Sequence, residues 1–158
     1  MKINMISVRE AIECDKEAFE EVSACAISTL RKVYRPNTRA LKNKGRISQG
    51  LKRLVALINA RIVGTVQFCL DDDYVRVIGL GVHSDNRKQG VAKKLLEELA
   101  IIGRKSGVRC MALHTVKETG NHAIFQKLGF RIIEEQIDLF SESDRFETLN
   151  AVYMERDV

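Results

Sequence analysis

The sequence contains a single proline, Pro36, and it has no apolar run long enough to cross a bilayer. Its longest apolar runs, such as residues 54–58, are far shorter than the roughly 20 residues that a membrane-spanning helix needs. The amino terminus lacks the basic segment followed by an apolar segment that marks a signal peptide. The sequence also has no repeat or low-complexity tract, which excludes fibrous and linker-rich classes of protein. We therefore expect a cytoplasmic protein without a membrane partner.

Cysteine is present, but it is not arranged for a disulfide framework or a metal site. The four cysteines, Cys14, Cys25, Cys69 and Cys110, lie far apart, and none belongs to a C-x-x-C pair. None of the three histidines lies at metal-ligand spacing from any of them. We therefore predict four reduced thiols, mostly buried, and no bound metal.

Length and composition indicate one globular domain that spans residues 1–158. Hydrophobic residues make up 45% and charged residues 30% of the chain, a balance typical of folded proteins. The formal net charge of +5 suits a nucleic acid, a membrane or any phosphate-rich ligand. The basic stretch at residues 31–46 lacks the regular interleaving of aromatic residues that stack on bases, and we interpret it as a solvated helix face and loop. We expect no nucleic-acid partner, since that hypothesis rests on net charge alone.

The hydrophobic pattern predicts both strands and helices. Asparagine tolerates a positive φ, so Asn59-Ala60 is predicted as a two-residue hairpin turn, and residues 71–73 as the next turn. Asp15 is predicted to cap the first helix. The predicted elements, in chain order, are a strand at residues 6–11, helices from residue 15 and at 38–48, strands at 53–58, 62–70 and 74–82, a helix from about residue 90 to Gly103 or Gly107, a strand at 108–115, a helix at 121–128, and closing strands at 130–139 and 146–154.

The most informative segment is the polar loop between Val82 and Gly90. A buried strand ends before the loop, and an amphipathic helix begins after it. The first turn of a helix carries backbone N–H groups without helical partners at the positive end of the helix dipole, and a pyrophosphate fits such a site. Gly90 and Ala92 are small enough for phosphates to approach the backbone, and Arg87 and Lys88 add positive charge. Taken alone, this pattern also fits an ordinary helix start after a turn, and no Walker or G-x-G-x-x-G motif is present.

Two motifs in this region resemble those of a known family. Arg87-x-x-Gly90-x-Ala92, after Leu80-Gly81-Val82, matches the R/Q-x-x-G-x-G/A signature of the GNAT acetyltransferases. Further along, the stretch that begins at Phe125 and ends with Gly-Phe is similar to the family's Y-x-K-x-G-F stretch. The predicted order of elements is also that of the family. The resemblance covers about residues 6–156 and is specific only between residues 54 and 130.

The resemblance implies an α/β fold with a central mixed, mostly antiparallel seven-stranded sheet and about four flanking helices. Its fourth and fifth strands, residues 74–82 and 108–115, would splay apart and admit acetyl-CoA. The backbone N–H near Val82 would stabilise the oxyanion, and Leu80 and Val82 would pair with the pantetheine arm. The residues implied in binding acetyl-CoA are Leu80, Gly81, Val82, Arg87, Lys88, Gln89, Gly90, Val91, Ala92 and Phe125.

The sequence differs from the family at positions where other members have residues that donate or accept protons. Phe125 stands where many members have the tyrosine that protonates the departing thiolate. Arg76 stands where some members have a basic glutamate, Glu118 where asparagine is common, and Asn121 where alanine is common. A thiol has a pKa of about 8.5, so the thiolate is a tolerable leaving group even without an acid.

His114 and Glu118 are the candidates for accepting the proton of the amine, directly or through water. His114 lies at the end of the predicted fifth strand and Glu118 follows that strand, so both are expected beside the cleft. Each of them could equally be an exposed loop residue without a catalytic role. His83, just past Val82, is a weaker candidate. Tyr153 is interpreted as a packing residue with its hydroxyl in water, and Cys110 is expected in the core.

Arg76 is a candidate for binding the acceptor. A buried cation normally needs an anionic partner. Either Asp73 or Glu135 supplies that partner within the chain, or the acceptor itself carries a carboxylate or a phosphate.

These observations favour an N-acetyltransferase that transfers the acetyl group of acetyl-CoA directly to a primary amine, without an acyl-enzyme. The acceptor is a small metabolite, an antibiotic or a protein amine. The alternative, supported by the missing tyrosine, is a non-catalytic domain that binds and senses acetyl-CoA. The expected partners are acetyl-CoA and the amine acceptor, with a homodimer left open.

Overall fold

A computed structural model describes residues 5–47 and 50–158, with the backbone alone at residues 43–47, and it contains both helices and strands. The helices are α1 Lys16–Leu30, α2 Thr38–Ile47, α3 Val91–Lys105 and α4 Asn121–Lys127. The strands are β1 Ile6–Glu10, β2 Arg35–Pro36, β3 Lys52–Ile58, β4 Arg61–Leu70, β5 Tyr74–Val82, β6 Cys110–Val116, β7 Arg131–Ile137, β8 Ser141–Glu142 and β9 Asn150–Asp157. The predicted end of the second helix at Ser48 lies outside the described residues, as do the side chains of Lys44 and Arg46.

Seven strands form one mixed sheet in the order β1-β3-β4-β5-β6-β9-β7. Only β5 and β6 are parallel; every other pair of neighbours is antiparallel. This is the predicted sheet, and β5 and β6 are its fourth and fifth strands. A separate two-stranded ribbon joins β2 to β8. The sequence did not indicate this ribbon, because two-residue strands leave no alternating pattern.

The predicted hairpin turn between β3 and β4 is confirmed. Asn59 and Ala60 have φ values of 51° and 63°, and Ile58 pairs directly with Arg61. These are the left-handed conformations that a type I′ turn requires at both central residues. The next turn is built by Asp71, whose carboxylate accepts hydrogen bonds from the backbone N–H groups of Asp73 and Tyr74.

Asp15 does not cap α1, contrary to the prediction. Its carboxylate accepts a hydrogen bond from the backbone N–H of Ile12 at 2.8 Å and pairs with the Arg9 guanidinium at 2.6 Å. These bonds lower the pKa of Asp15 to about 2, the hydrogen bond from Arg9 being the main cause. The carboxylate therefore joins the end of β1 to the start of the helical segment.

The last strand begins later than the prediction placed it, at Asn150 rather than at Phe146. The hydroxyl oxygen of Ser143 accepts hydrogen bonds from the backbone N–H groups of Arg145 and Phe146, which holds these residues in a turn. Register with β6 then fixes β9, since Val116 pairs with Ala151. Residues 146–149 consequently belong to the connection.

The two long helices pack on opposite faces of the sheet. A side chain at Gly64 would overlap Val91 of α3, whereas one at Gly81 would meet Ala26 of α1 at 3.0 Å. Thr65 lies opposite Gly81 in the register and next to Gly64 in the chain, so the two glycines point to opposite faces. The buried face of α3 fills the core against the sheet, and α3 ends before Gly107, which has a φ of 76°.

The four cysteines are free thiols, as predicted, but they are not mostly buried. Cys14 is exposed, and Cys25, Cys69 and Cys110 are partly exposed. Among the described residues, no cluster of three or more His, Cys, Asp or Glu side chains is placed to hold a metal ion. No helix within residues 5–47 and 50–158 is long and apolar enough to cross a membrane.

Candidate active site

The sheet opens between its two parallel strands. β5 and β6 pair only from Tyr74 with Cys110 to Arg76 with Ala112. Beyond this point the described chain shows no further pairing between them, although β5 continues to Val82 and β6 to Val116. The two carboxyl-terminal halves therefore diverge and leave a wedge-shaped opening, as the resemblance implied.

The free edge of β5 presents backbone hydrogen-bonding groups to this opening. His83 donates its backbone N–H to the carbonyl of Val63 on β4 at 2.8 Å. Because backbone groups alternate in direction along a strand, the N–H and C=O groups of Leu80 and Val82 point away from β4, into the opening. An extended ligand can pair with them as an added strand would.

The loop after β5 delivers backbone amides to the mouth of the opening. Lys88 and Gly90 have φ values of 61° and 86°, and α3 begins immediately afterwards at Val91. The N–H of Lys94 is the first to bond within the helix, to the carbonyl of Gly90 at 3.0 Å. The first turn of α3 carries no acidic side chain. Its amides and the positive end of the helix dipole are thus arranged so that they could hold an anion.

Space for such an anion lies directly beside Gly90. Apart from its neighbours in the chain, no atom of the described residues would lie within 4 Å of a Cβ built at this glycine. Arg87 and Lys88 are exposed beside it, and an Arg87 nitrogen lies 3.5 Å from the hydroxyl of Thr29 at the end of α1. The residues present therefore fit a pyrophosphate, with cations at its rim.

The helix α4 follows the splayed strand β6 and carries Phe125. Phe125 packs against the core of the α3 side and meets Phe130 edge to face, with ring centroids 5.8 Å apart. Phe125 thus presents an apolar ring that has no proton to give.

The sequence profile of the Acetyltransferase (GNAT) family matches residues 14–130, which is most of the chain. This chain belongs to the GNAT family. A search of curated protein sequences found no significant match.

Solved structures of acetyltransferases share this fold over nearly their whole length. The ribosomal-protein-S18-alanine N-acetyltransferase from Escherichia coli superposes with a TM-score of 0.74 at 16% identity, covering 98% of this chain and 94% of that one. The IAA acetyltransferase from Bacillus cereus gives 0.70 at 16% identity, covering 98% and 100%. An aminoglycoside 6'-N-acetyltransferase complexed with coenzyme A gives 0.68 at 12% identity, covering 96% of both chains. At sequence identities this low, the structural similarity shows that these proteins share the fold of this chain.

Arg87 offers a direct test of the anion site in this GNAT chain. We expect Arg87→Glu to weaken CoA binding by about tenfold at low salt, because a cation beside the phosphates becomes an anion, and to weaken it less at high salt. Lys105→Glu makes the same change of charge at the far end of α3 and should leave the affinity unchanged. Calorimetric titration of CoA at two salt concentrations measures both variants. If both substitutions changed the CoA affinity equally, Arg87 would not be part of the CoA-binding site.

His114 lies on the α1 side of the sheet, on the splayed part of β6. Its side chain is exposed, and its ring lies 4.9 Å from that of Tyr153 on β9. Partial removal of the ring from water lowers the pKa of His114 below its ordinary value, and the nearby Arg76 guanidinium lowers it further. The imidazole is therefore neutral at pH 7 and able to accept a proton.

Tyr153 keeps its proton, and the hydroxyl is not left to water as predicted. The hydroxyl donates to the carboxylate of Glu155 at 2.7 Å. Removal from water and then this bond raise the pKa of Tyr153 well above its ordinary value. The phenol is consequently a poor acid.

Glu118 has a partner within the chain. Its carboxylate accepts hydrogen bonds from the backbone N–H and the side-chain amide of Asn150. These bonds tie the turn after β6 to the start of β9, which favours a structural role for Glu118 over proton transfer.

Arg76 is paired internally, but not with either predicted residue. Its guanidinium contacts Asp71 at 2.6 Å and lies over the ring of Tyr74, while Glu135 pairs instead with Lys117 at 2.8 Å. The side chain is 41% exposed, so it is not the buried cation that was expected. The charge of Arg76 therefore does not require an anionic acceptor.

The structure gives no catalytic role to Cys110 or His83. Cys110 is partly exposed rather than in the core, and its thiol lies 3.5 Å from a carboxylate oxygen of Asp157. The Nδ1 atom of His83 accepts a hydrogen bond from the backbone N–H of Asp85 at 3.2 Å, which makes His83 part of the loop's own structure.

One histidine of α4 was not singled out in the sequence. His122 lies in the first turn of α4, and its Nδ1 atom is buried without a hydrogen-bond partner among the described residues. The available signal was its position three residues before Phe125, which places the two side chains on one face of a helix.

Proposed function

We propose that this GNAT chain is an N-acetyltransferase that moves the acetyl group of acetyl-CoA directly to a primary amine of a small molecule or a protein. The observation that carries the proposal is the set of open amides from Arg87 to Ala92, beside a strand edge whose N–H and C=O groups face the sheet's opening. This arrangement suits a ligand with a pyrophosphate at one end and an extended amide-containing arm at the other.

Each part of the site has a task in this proposal. The amides and cations of residues 87–92, including Gln89 and Val91, bind the pyrophosphate. Leu80 and Val82 pair with the pantetheine arm, and Gly81 between them gives α1 room to pack. The N–H of Val82 stabilises the negative charge that develops on the thioester oxygen during attack.

His114 is the proposed base. The attacking nitrogen must lose a proton as the amide forms, and a neutral imidazole on the α1 side accepts it directly or through water. Glu118, which is bonded to Asn150, is better suited to holding the loop.

The acceptor is left as a primary amine. Proteins of the same fold act on an alanine of a ribosomal protein and on aminoglycosides, as their names state. These acceptors differ in size and charge. Since Asp71 already neutralises Arg76, we do not narrow the proposal to anionic acceptors.

A domain that only binds and senses acetyl-CoA is the second candidate. Phe125 favours it, because a phenylalanine in the tyrosine position is what a degenerate enzyme would carry. The two candidates predict different responses to restoring the tyrosine.

Phe125→Tyr should change turnover by less than about tenfold if the enzyme has adapted to an apolar wall. In a relic whose only defect is the missing acid, the same change should raise turnover by about 10²-fold, the low end of general-acid help. Stability should change little unless the new hydroxyl is buried without a partner, which costs about 1–3 kcal/mol. Thiol release at saturating acetyl-CoA, followed from pH 6 to 10, measures the effect. A large gain in turnover, with a new basic limb in the pH profile, would favour the domain that only binds acetyl-CoA.

The proposal is tested by incubating the protein with acetyl-CoA and a panel of amines. The panel holds an alanine-leading peptide, a polyamine, an aminoglycoside and an amino sugar phosphate, and thiol release is read against blanks without protein. Amine-dependent release that disappears in Gly90→Val supports transfer at this site. Tight acetyl-CoA binding with no release from any amine would support the sensing domain instead.

A further inference from the structure

The middle strand of the sheet, β5, has two consecutive exposed residues, Ile78 and Gly79. Neighbouring residues in a regular strand face opposite sides of the sheet, so two exposed neighbours in the middle strand need a local cause. Gln67 lies opposite Gly79, whereas the next residue of β4 lies opposite Val77. Ile78 is therefore the extra residue of a β-bulge. Such bulges are common beside active sites, and this one lies where β5 separates from β6.

Gly79 faces the α1 side of the sheet. Its partner on β4, Gln67, lines a cavity of about 720 Å³ together with Phe19 and Ser23 of α1. Residues that lie opposite each other on antiparallel strands share a face of the sheet. Apart from chain neighbours, no atom of the described residues would lie within 4 Å of a Cβ built at Gly79. The open space at Gly79 therefore lies next to this cavity.

The backbone of β5 does not require glycine at position 79. The φ of Gly79 is not positive, so a residue with a side chain can adopt this conformation. A glycine inside a strand also costs stability, because its backbone has the most freedom to lose and no side chain packs. Gly81, on the same face, is different, since a Cβ there would meet Ala26 of α1 at 3.0 Å. A strand glycine that neither the backbone nor the packing requires is typical of a place where a ligand comes close.

Gly79 also lies level with the proposed base, His114. The last paired residues of β5 and β6 are Arg76 and Ala112. Gly79 follows Arg76 by three residues, one of which is the bulge, and His114 follows Ala112 by two. Leu113 belongs to the core on the α3 side, so His114 faces the α1 side, as Gly79 does. The two residues therefore lie on opposite sides of the opening where it begins.

We propose that Gly79 forms the floor of the acceptor site and determines which amines reach the thioester. This inference rests on the transferase activity proposed above. The acceptor lies on the α1 side, with the carbon that bears its amine against the backbone of Gly79 and the amine toward His114. The rest of the acceptor extends toward the cavity at Gln67. A side chain at position 79 would occupy the place of that carbon, whereas the arm of CoA pairs with the edge of β5 in the plane of the sheet and would not meet it.

Gly79→Val tests this assignment directly. We expect it to lower kcat/KM for an accepted amine by about tenfold or more, because the added methyl groups occupy the place of the acceptor. Gly79→Ala adds a single carbon and should cause a smaller loss. Thiol release is measured against amine concentration at saturating acetyl-CoA, with each amine of the panel above that the wild type acetylates.

Two further measurements distinguish a blocked acceptor site from a damaged fold. Calorimetric titration should give Gly79→Val the CoA affinity of the wild type. Its Tm should be equal to that of the wild type or higher, because a β-branched residue replaces a glycine inside a strand. Ser7→Val is the matched control: Ser7 is exposed on the edge strand β1, three strands away from β5, and this variant should keep wild-type kcat/KM.

The outcomes separate this inference from the function on which it rests. If the wild type acetylates no amine, the proposed transferase fails, and the acceptor site at Gly79 fails with it. If the wild type transfers acetyl groups and Gly79→Val keeps full kcat/KM for every accepted amine, only the role of Gly79 fails. If Gly79→Val lost CoA affinity by the same factor as kcat/KM, position 79 would face CoA rather than the acceptor, and the assignment would be overturned.

Discussion

Gly90→Val should weaken CoA binding by about 10²-fold or more, which corresponds to about 2.8 kcal/mol. Apart from chain neighbours, no atom of the described residues lies within 4 Å of the Cβ position at Gly90, so the new side chain would fill the space proposed for the phosphates. A φ of 86° also disfavours a β-branched residue, and a shift of the loop would move the amides of α3. Calorimetric titration with CoA measures the loss.

A matched control separates the loss of the site from backbone strain. Gly107 has a φ of 76° and an equally open Cβ position, but it lies at the opposite end of α3. Gly107→Val should lower thermal stability about as much as Gly90→Val and leave CoA affinity intact. If Gly90→Val kept its CoA affinity, or if both variants lost CoA affinity equally, the loop would not be the pyrophosphate-binding site.

His114→Ala should lower kcat by about 10²-fold, because the imidazole that accepts the proton of the amine is lost. Tyr153→Phe is the matched control: it keeps the ring that packs on His114 and removes only the hydroxyl bonded to Glu155. This control should retain most of the activity. Steady-state assays at saturating acetyl-CoA, with one amine that the wild type accepts, measure both.

The pH dependence follows from the direction of the His114 pKa. A base works in its deprotonated form, and a lowered pKa keeps His114 deprotonated to a lower pH than an ordinary histidine. Activity should therefore fall as the pH drops through a value below about 6.5. In His114→Ala this acidic limb should vanish, while the titration of the amine itself remains in both profiles. A limb that persists unchanged in the variant would assign the proton transfer to another group.

The main sheet and the loop between β5 and α3 could be predicted from the sequence because their signals are local. The Asn59-Ala60 turn follows from the tolerance of asparagine for positive φ. The change from strand to helical period around Val82 and Gly90 marks the loop in a single segment. Element order and two motifs then suffice for the family and the splayed sheet.

The misplaced details depend on side-chain contacts that hydrophobic periodicity does not show. Arg35 pairs with Glu142 across the β2–β8 ribbon, which no local pattern shows. Asp15 meets Arg9 rather than capping α1, because the end of β1 lies beside it in the fold. Charge pairs of this kind depend on side-chain direction, which hydrophobic periodicity does not determine.

The proton-carrying groups were the hardest to predict for the same reason. The sequence position of Glu118 suits a base, but Asn150, far along the chain, donates hydrogen bonds to its carboxylate.

Direct transfer is tested most plainly with acetyl-CoA that carries an isotope in its acetyl group. The protein is mixed with this donor and an amine that it acetylates. The masses of the amide product and of the intact protein are both measured by mass spectrometry from the first turnover onward. The account predicts label in the amide product and none attached to the protein at any time. Labelled acetyl on the protein before product forms, for example on one of the free cysteines, or thiol release without a labelled amide, would contradict it.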